Sequence, residues 1–440
     1  MELTDYETWA QNEWGRVAFG DERLNSRAVS IGAAFYRSPF VSPPQMLKSL
    51  KKIKAFYRFM DSNKVSHEGL ITHHTRESRE RISAYPLVLA VEDSTTINLE
   101  RAYVVEGGYD IGNVQGVVVH NTISVIPLND YGIVDGLLHQ TIVRRTEKSQ
   151  RDPEYNETRT WKESIDAVKK PKNTIIVDVM DRGADALEVM HCSKKNNHEF
   201  IIRAKQNRYI KDDKHDHLFD FTKALTPQGS FNLDLKTPRD RRATLHVAYA
   251  NVTLDTPKNK HTIPPLNATI IHVYEHEPQE KEPIEWYLLT SLTIKSLNDA
   301  RQIIRYYSYR WTIEEYHKCL KTGFRLEKTQ LHTLKRIENL LGFISVSAIK
   351  LLQIRDIIRR NPNANALEYV TKEDTEIIQA YYHTKEKTIT IDKFLRHIAQ
   401  MGGFLNRKSD GNPGWESIWN GWKFFMTLKE GVHLRMKRCG

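Results

Sequence analysis

Apolar residues recur with a helical period near the N-terminus. Between positions 21 and 37 they fall at Leu24, Ala28, Ile31 and Phe35, close to every 3.6 residues. Prolines follow soon afterwards and end the helix. A basic segment with interleaved aromatic residues then runs from Lys48 to Lys64. We therefore expect residues 1–82 to form a helical unit.

Short, apolar, β-rich runs after this unit predict strands. They cover 87–93, 117–126, 133–143, 173–181 and 200–205. Turn-forming residues at 129–132 join the second and third runs into a hairpin. The stretch 185–195 suits a helix between the last two strands. This alternation predicts a mixed α/β sheet.

The pattern changes twice in the second half of the chain. Alternating segments at 243–254 and 267–276 predict a β insertion over 206–285. Helical signal returns at Ser296, which with Asp299 is typical of a capping box. We expect a core formed by 83–205 and 286–360, followed beyond a linker near Pro362 by a helical region, 361–440.

Composition narrows the class of protein. The 440 residues carry 65 Lys and Arg against 55 Asp and Glu, a net charge of +10 that favours polyanionic partners. Three widely separated cysteines indicate neither a disulfide framework nor a zinc site. The N-terminus lacks the pattern of a secretory signal, and the most apolar stretch, 340–352, is shorter than the roughly 20 residues of a membrane span. A cytoplasmic enzyme or nucleic-acid binder, with no membrane partner, is expected.

Two aspartates follow apolar strands directly. Asp93 ends the first run and Asp181 ends the fourth, and functional sites of α/β sheets gather at the carboxyl ends of strands. Aspartate is also a common turn residue or helix cap, so either residue alone leaves both interpretations open. Asp178 lies inside the strand and Asp185 about one turn into the following helix, which makes them weaker candidates.

A third carboxylate comes from the segment 307–323. Tyr307, Arg310, Glu314 and Lys321 project within roughly 60° of one another on a helix face. A solvated i,i+4 ion pair is the alternative interpretation of this face. Three carboxylates together would instead suit Mg²⁺, and the neighbouring cations would suit a phosphodiester.

The spacing Tyr-x2-Arg-x3-Glu-x6-Lys resembles the signature of the insertion-sequence family that includes the transposon-five (Tn5-type) transposase, a DDE cut-and-paste enzyme. VEDSTTINL resembles the first-aspartate strand of that family, VMDRGAD the second, GLLHQTIV the hairpin between them and IEWYLLTS the strand that leaves the insertion. FGDERLNSRAV resembles the end-binding domain, and GGFLNRKSDGNPGWESIWNGW the C-terminal region. The resemblance covers nearly the whole chain in the right order.

This resemblance implies a ribonuclease H-like core in which Asp93, Asp181 and Glu314 bind two Mg²⁺ ions, with Mn²⁺ as a substitute. It also implies metal-dependent excision through a DNA hairpin, followed by strand transfer. The implied partners are double-stranded DNA, both transposon ends and target, and a second copy of the chain when DNA is bound, with dimer contacts in the C-terminal region. No organic cofactor is implied, and the expected location is the bacterial nucleoid in the cytoplasm.

The resemblance also implies residues that contact DNA. Tyr307, Arg310 and Lys321 would hold phosphates at the cleaved end, and Trp286 would stack on an extruded base with Trp311 against the neighbouring strand. A buried core role for either tryptophan stays open. The remaining expected DNA-binding residues are basic: Lys318, Arg203, Lys205, Arg23, Arg27, Lys51, Lys52 and Lys54.

Three other functions fit parts of the sequence. A ribonuclease H-like nuclease without strand transfer would use the same acids, but would have little use for the end-binding and C-terminal segments. A catalytically silent, transposase-derived DNA-binding regulator would tolerate loss of the acids, all three of which are present. A carboxylate-pair hydrolase acting on another substrate would explain neither the basic balance nor the Tyr/Arg/Lys face.

Overall fold

The computed structural model describes most of the chain as helices around one sheet. The described residues are 3–39, 41–99, 105, 109–110, 115–128, 131–143, 157–235, 241–256, 262–276, 283–384, 386 and 388–439. Within them the fold is a mixed α/β core with helical units at the N- and C-terminal ends, as the sequence predicts.

A ten-stranded mixed sheet lies at the centre of the described part of the chain. The strands are β1 (Leu87–Asn98), β2 (Tyr109–Asp110), β3 (Gln115–Leu128), β4 (Tyr131–Val143), β5 (Ile175–Met180), β6 (Glu199–Arg203), β7 (Gly229–Leu235), β8 (Arg241–Leu254), β9 (Leu266–Glu275) and β10 (Glu285–Thr290). Their order is β2-β3-β1-β5-β6-β10-β9-β8-β7, and β4 also pairs with β3. β1, β5 and β6 are parallel, whereas β3 is antiparallel to both β1 and β4.

The strands of the predicted insertion continue the core sheet. β10 returns from this region and pairs antiparallel with β6, and β9, β8 and β7 follow outward from it. The predicted segments 243–254 and 267–276 correspond to β8 and β9. The insertion therefore adds to the sheet edge next to β6 instead of forming a separate sheet.

The first strand is longer than the sequence predicts. β1 continues through Asn98 because β3 pairs with it as far as that residue, whereas its parallel pairing with β5 stops at Val91. Asp93 therefore lies inside β1 and not at its end. On the β5 side, however, Asp93 is already beyond the last paired residue. The β3–β4 hairpin is confirmed, although Asn129 and Asp130 of its turn lie outside the described residues.

Five helices form the N-terminal unit: α1 (Tyr6–Trp14), α2 (Glu22–Arg37), α3 (Pro43–Leu47), α4 (Leu50–Asp61) and α5 (His67–Arg81). The predicted helix after Asp21 is α2, and the Asp21 carboxylate caps it by accepting a hydrogen bond from the amide of Arg23. The indole of Trp14 is fully buried and donates to the carbonyl of Leu70 on α5. This buried bond joins the first and last helices of the unit.

The remaining helices are α6 (Glu157–Ala167), α7 (Leu187–Lys195), α8 (Leu218–Lys223), α9 (Leu297–Ser308), α10 (Trp311–Lys318), α11 (Leu334–Arg360), α12 (Lys372–Tyr382), α13 (Ile391–Met401) and α14 (Trp415–Cys439). The predicted capping box of Ser296 and Asp299 begins α9. Among the described helices only α11 is long and apolar enough to cross a membrane, but 89% of its most apolar window is buried inside the protein. Its surroundings are those of a core helix, as predicted for 340–352.

The two faces of the sheet bury alternate strand residues. Val91 and Val179 pack in the largest apolar cluster, together with Phe343 of α11. Met180 and Phe200 pack on the other face, in the cluster that contains residues of α6 and α7. Because side chains alternate along a strand, Asp93 shares the α11 side of β1 with Val91.

The segment 307–323 is not one regular helix, contrary to the sequence prediction. α9 ends at Ser308, α10 spans only eight residues, and a π-helical turn covers Cys319–Gly323. The amide of Phe324 donates to the carbonyl of Cys319, and this i to i−5 bond accommodates an extra residue in the turn. Tyr307 therefore belongs to α9, Arg310 precedes α10, and Lys321 lies in the π turn.

Helices α13 and α14 cross with their backbones in contact. A Cβ atom at Gly421 would lie 1.6 Å from the carbonyl oxygen of Ile398 on α13. Trp419 and Trp422 on either side of this glycine are fully buried. The close approach therefore depends on the absence of a side chain at position 421.

We predict that Gly421→Ala lowers the free energy of unfolding by about 1–3 kcal/mol, since the new methyl group forces the two helices apart. Gly431→Ala is the matched control, because nothing lies within 4 Å of a Cβ at that exposed position of the same helix. The control should raise stability by up to about 1 kcal/mol through helix propensity. Denaturant unfolding of both variants checks this, and equal effects of the two substitutions would contradict the close crossing.

Candidate active site

The three candidate acids come from three different elements. Asp93 lies on β1, Asp181 follows β5 directly, and Glu314 lies on α10. Asp181 begins a short 3-10 turn, and its carboxylate accepts a hydrogen bond from the amide of Gly183 at 2.7 Å. Because β1 and β5 are parallel neighbours, Asp93 and Asp181 both lie just beyond the C-terminal end of the β1–β5 pairing.

Arg310 joins two of these acids. Its Nη1 lies 3.4 Å from Oδ2 of Asp93, and its Nη2 donates to the carboxylate of Glu314. The Arg310 and Asp93 side chains are only 18% and 19% exposed. Arg310 therefore contacts Asp93 on β1 as well as Glu314, its i,i+4 partner. This arrangement differs from a solvated ion pair on a helix surface, which was the other interpretation of the sequence.

The electrostatics at Asp93 indicate surplus negative charge. Burial, and then the charge of Asp181, raise the pKa of Asp93 to about 7, with a smaller contribution from Glu314. Arg310 opposes this shift without cancelling it. A cation at this point would be stabilised by all three carboxylates.

The donor set fits a divalent cation in chemistry and charge. Carboxylate oxygens are the ligands that Mg²⁺ prefers, and the charges of Asp181 and Glu314 add to burial in raising the pKa of Asp93. No three His, Cys, Asp or Glu side chains among the described residues are grouped closely enough to hold an ion. Arg310 contacts both Asp93 and Glu314 in this arrangement, so metal binding requires its guanidinium to move away from them.

A group of cationic and aromatic side chains borders the acids. Tyr307 is buried at the end of α9 and interacts with Arg310 and Arg203, and burial raises the pKa of its phenol. Burial and the nearby charges of Arg182 and Arg310 lower the pKa of Arg203. Guanidinium groups gathered beside an acidic centre suit the phosphate oxygens of a substrate. Arg182 was not predicted, although it directly follows Asp181.

The other predicted DNA-binding residues of the core differ in their surroundings. Trp286 on β10 is partly buried, with its ring 5.4 Å from that of Tyr307 in an edge-on contact. Trp311 is 63% exposed. Lys321 is partly buried in the π turn, and Lys205 is exposed after β6. Lys318 is exposed and pairs with Glu416 of α14 at 3.8 Å, so its ammonium is directed towards the C-terminal helix.

The predicted basic residues near the N-terminus belong to α2 and α4, elements that carry none of the three acids. Four of them are exposed: Arg23, Lys51, Lys52 and Lys54. Arg27 is partly buried, which leaves less of its side chain available to DNA.

Asp178 and Asp185 have structural partners. Asp178 is fully buried and pairs with His198 at 3.0 Å. Asp185 accepts hydrogen bonds from the amides of Lys205 and Gln206 and from Arg208. Asp185 lies before α7 and not within it, which corrects the sequence prediction, because α7 begins only at Leu187.

Sequence reasoning missed three polar residues beside this site. Asn121 on β3, Gln140 on β4 and His317 on α10 form one buried hydrogen-bonded group. The sequence does contain one signal for this group: His317 follows Glu314 by three residues, so the two side chains lie on the same side of a helix.

Two family models match the chain. A model described as a transposase DDE domain matches residues 152–349, which include Asp181 and Glu314. A model described as transposase DNA-binding matches residues 6–65 in the N-terminal helical unit. One chain thus matches both models, which makes it similar to DDE transposases and supports DNA as a partner. The DDE domain is ribonuclease H-like, as the sequence implied, and such domains generally use divalent metal ions.

We predict that Asp93→Asn stabilises the folded protein at pH 8 by about 1–3 kcal/mol, since it removes a buried charge. The folded-state pKa of about 7 exceeds the unfolded value, so ionised Asp93 destabilises the fold as pH rises through 7. The gain should therefore shrink as pH falls and disappear below about pH 4.

The matched control is Asp61→Asn. The hydrogen bond from Arg336 lowers the pKa of Asp61, so this substitution should lose stability at pH 8. Denaturant unfolding at several pH values compares the two variants. A change in the free energy of unfolding of the same sign in both variants at pH 8 would contradict the electrostatics assigned to Asp93.

Proposed function

We propose that this chain is a Tn5-type DDE transposase that excises an insertion sequence by metal-dependent cleavage and joins it to a new site by strand transfer. The observation that carries this proposal is the convergence of Asp93 and Glu314 on Arg310, with Asp181 close enough to raise the pKa of Asp93. The transposase DNA-binding match in the same chain supports DNA as the substrate.

Asp93, Asp181 and Glu314 would hold two Mg²⁺ ions, with Mn²⁺ as a substitute. When bound, these ions activate a water or a DNA 3′-hydroxyl and stabilise the leaving oxygen at phosphorus. Arg310 exchanges its carboxylate partners for phosphate oxygens of the DNA end. Tyr307, Arg203 and Lys321 hold the same end in position, so the chain itself supplies orientation and charge neutralisation.

The chain would bind DNA through two regions. Arg23, Arg27, Lys51, Lys52 and Lys54 of residues 1–82 bind phosphates of the transposon end, and residues around the acids bind the cleavage point. Residues 361–440 supply contacts to a second copy on the paired end, because excision needs two coordinated ends and we identify one candidate set of acids in the described part of each chain. We infer that these activities take place at the bacterial nucleoid in the cytoplasm.

A catalytically silent regulator remains the competing function. It would bind the same DNA ends without needing Asp93 and Glu314 on one guanidinium with the charge of Asp181 nearby. Burial of unneutralised carboxylate charge costs stability, so its presence favours an enzyme over a regulator.

We predict that the purified chain nicks DNA from the ends of its own genomic element in Mg²⁺ and not in EDTA. Asp93→Ala, Asp181→Ala and Glu314→Ala should each lower nicking by at least about 1,000-fold, as expected when a metal-held transition state is lost. Each variant should still bind end DNA in a gel-shift assay.

Glu163→Gln is the control for removal of a carboxylate charge, since Glu163 is an exposed partner of Arg159 on α6. It should nick at the wild-type rate. Nicking by any of the three alanine variants at a near wild-type rate would remove that acid from the site. End binding by the wild type without nicking in Mg²⁺ or Mn²⁺ would favour the regulator.

Trp286 tests the proposed hairpin intermediate. Attack of a freed 3′-hydroxyl on the opposite strand makes a tight DNA bend that unstacks a base, and stacking on an aromatic ring is worth roughly 1–3 kcal/mol. Trp286→Ala should therefore lower hairpin formation by about 10-fold or more while first-strand nicking persists. Gel analysis of both products measures the two steps.

Trp286→Phe is the matched variant, because it keeps a flat ring beside Tyr307. It should retain more hairpin formation than the alanine variant. Equal loss of nicking and hairpins, or loss of the folded state, would show that Trp286 serves the core.

A further inference from the structure

Asp93 is the first of three polar side chains in a row across the sheet. Asp93 on β1 pairs directly with Asn121 on β3, and Asn121 pairs directly with Gln140 on β4. Directly paired residues of antiparallel strands place their side chains on the same face. The Nε2 of Gln140 donates to Oδ1 of Asn121 at 2.6 Å, and both residues are buried. We call Asp93, Asn121 and Gln140 the polar row.

Helix α10 lies over this row with a different residue above each member. Glu314 reaches towards Asp93 through Arg310. The Nδ2 of Asn121 donates to Nε2 of His317 at 3.0 Å. The Nε2 of Gln140 lies 3.3 Å from the hydroxyl of Tyr316. Contacts of neighbouring helix residues with neighbouring strands fix both the rotation and the position of α10.

His317 is suited to accept this bond. Burial, and then the charge of Lys321, lower the pKa of His317 to about 3, so the imidazole is neutral. A neutral ring with its proton on Nδ1 presents an unprotonated Nε2 to the Asn121 amide. Asn121 thereby satisfies His317 with its amino group and Gln140 with its carbonyl oxygen.

Helix α10 needs such anchors because it is short. It spans eight residues between the end of α9 and the π turn, so no long regular helix holds its register. On its other side Glu315 pairs with Arg355 of α11, and Arg355 also binds Asp356. Glu315, Tyr316 and His317 thus have buried partners on three different elements immediately after Glu314.

We propose that Asn121 is a positioning residue which, held by Gln140, fixes α10 through His317 so that Glu314 faces Asp93. This inference rests on the proposed function and deepens it, since it names the groups that align the helix carboxylate for metal binding. Loss of the bond leaves the buried Nε2 of His317 without this partner and frees α10 to rotate. Misplaced Glu314 then binds the ion less well, because partners of metal ligands set ligand orientation.

The test uses full-length protein bound to a DNA end, with Mn²⁺ as the probe. Electron paramagnetic resonance titration measures Mn²⁺ affinity, gel shift measures end binding, and denaturant unfolding measures stability. His317→Leu and Asn121→Leu should each weaken Mn²⁺ binding by about 10-fold or more with end binding retained. His317→Gln keeps an acceptor near the position of Nε2 and should stay within about 3-fold of wild type, since the hydrogen bond is preserved.

Thr122→Val is the matched control. Thr122 neighbours Asn121 on β3, is fully buried, and its hydroxyl bonds to Ser164 on α6, away from α10. The substitution should cost stability without changing Mn²⁺ affinity. The double variant Asn121→Leu/His317→Leu should lose no more affinity than one single variant, because both substitutions break the same contact.

The outcomes separate this inference from the proposed function. Wild-type Mn²⁺ affinity in both leucine variants overturns the positioning role, and so does an equal loss of Mn²⁺ affinity in Thr122→Val. In either case, nicking by the wild-type protein still supports the transposase function. Failure of His317→Gln to restore affinity also overturns it. If His317→Leu does not fold, Asn121→Leu and His317→Gln decide the result. Wild-type protein that neither binds Mn²⁺ nor nicks DNA contradicts the proposed function itself.

Discussion

The contact of Arg310 with Asp93 and Glu314 is the interaction on which the account of this protein depends. It connects strand β1 of the sheet to the short helix that carries the third acid. The guanidinium neutralises part of the negative charge here, yet burial and then the charge of Asp181 still raise the pKa of Asp93. A site that keeps surplus charge at a cost in stability is suited to bind a cation together with a phosphate.

The rest of the fold holds this contact in place. The long β3 strand extends β1 beyond its pairing with β5, which places Asp93 past the last residue that pairs with β5. The buried helix α11 supports α10 from the other side through Arg355. The N-terminal and C-terminal helical units pack against the same apolar cluster as β1, so the regions proposed to bind DNA ends and a second copy adjoin the core that carries the acids.

Much of this arrangement follows from local signals in the sequence. Apolar runs predicted the core strands, and the same pattern made Asp93 and Asp181 candidate site residues. The spacing of Arg310 and Glu314 predicted that they share a face, and the two side chains do meet. Local signals succeeded here because each depends only on residues close together along the chain.

Other features depend on contacts between distant segments. The extra length of β1 follows from its partner β3, and the π turn interrupts a pattern that reads as one continuous helix. The row of Asp93, Asn121 and Gln140 depends on the register of three strands, and the β3–β4 register shifts just after Thr122. A shift of one residue would place a different side chain beneath His317, so sequence spacing alone does not predict this group.

The central claim is that these carboxylates hold a metal ion against the phosphate that is cut. The most direct measurement is the rate of nicking of an end DNA in which sulfur replaces one non-bridging oxygen of that phosphate, in Mg²⁺ and in Mn²⁺. Magnesium prefers oxygen ligands more strongly than manganese does. Sulfur should slow nicking in Mg²⁺, and Mn²⁺ should restore the rate for one of the two sulfur positions. Equal slowing in both metals at both positions would contradict direct contact between the ion and the phosphate.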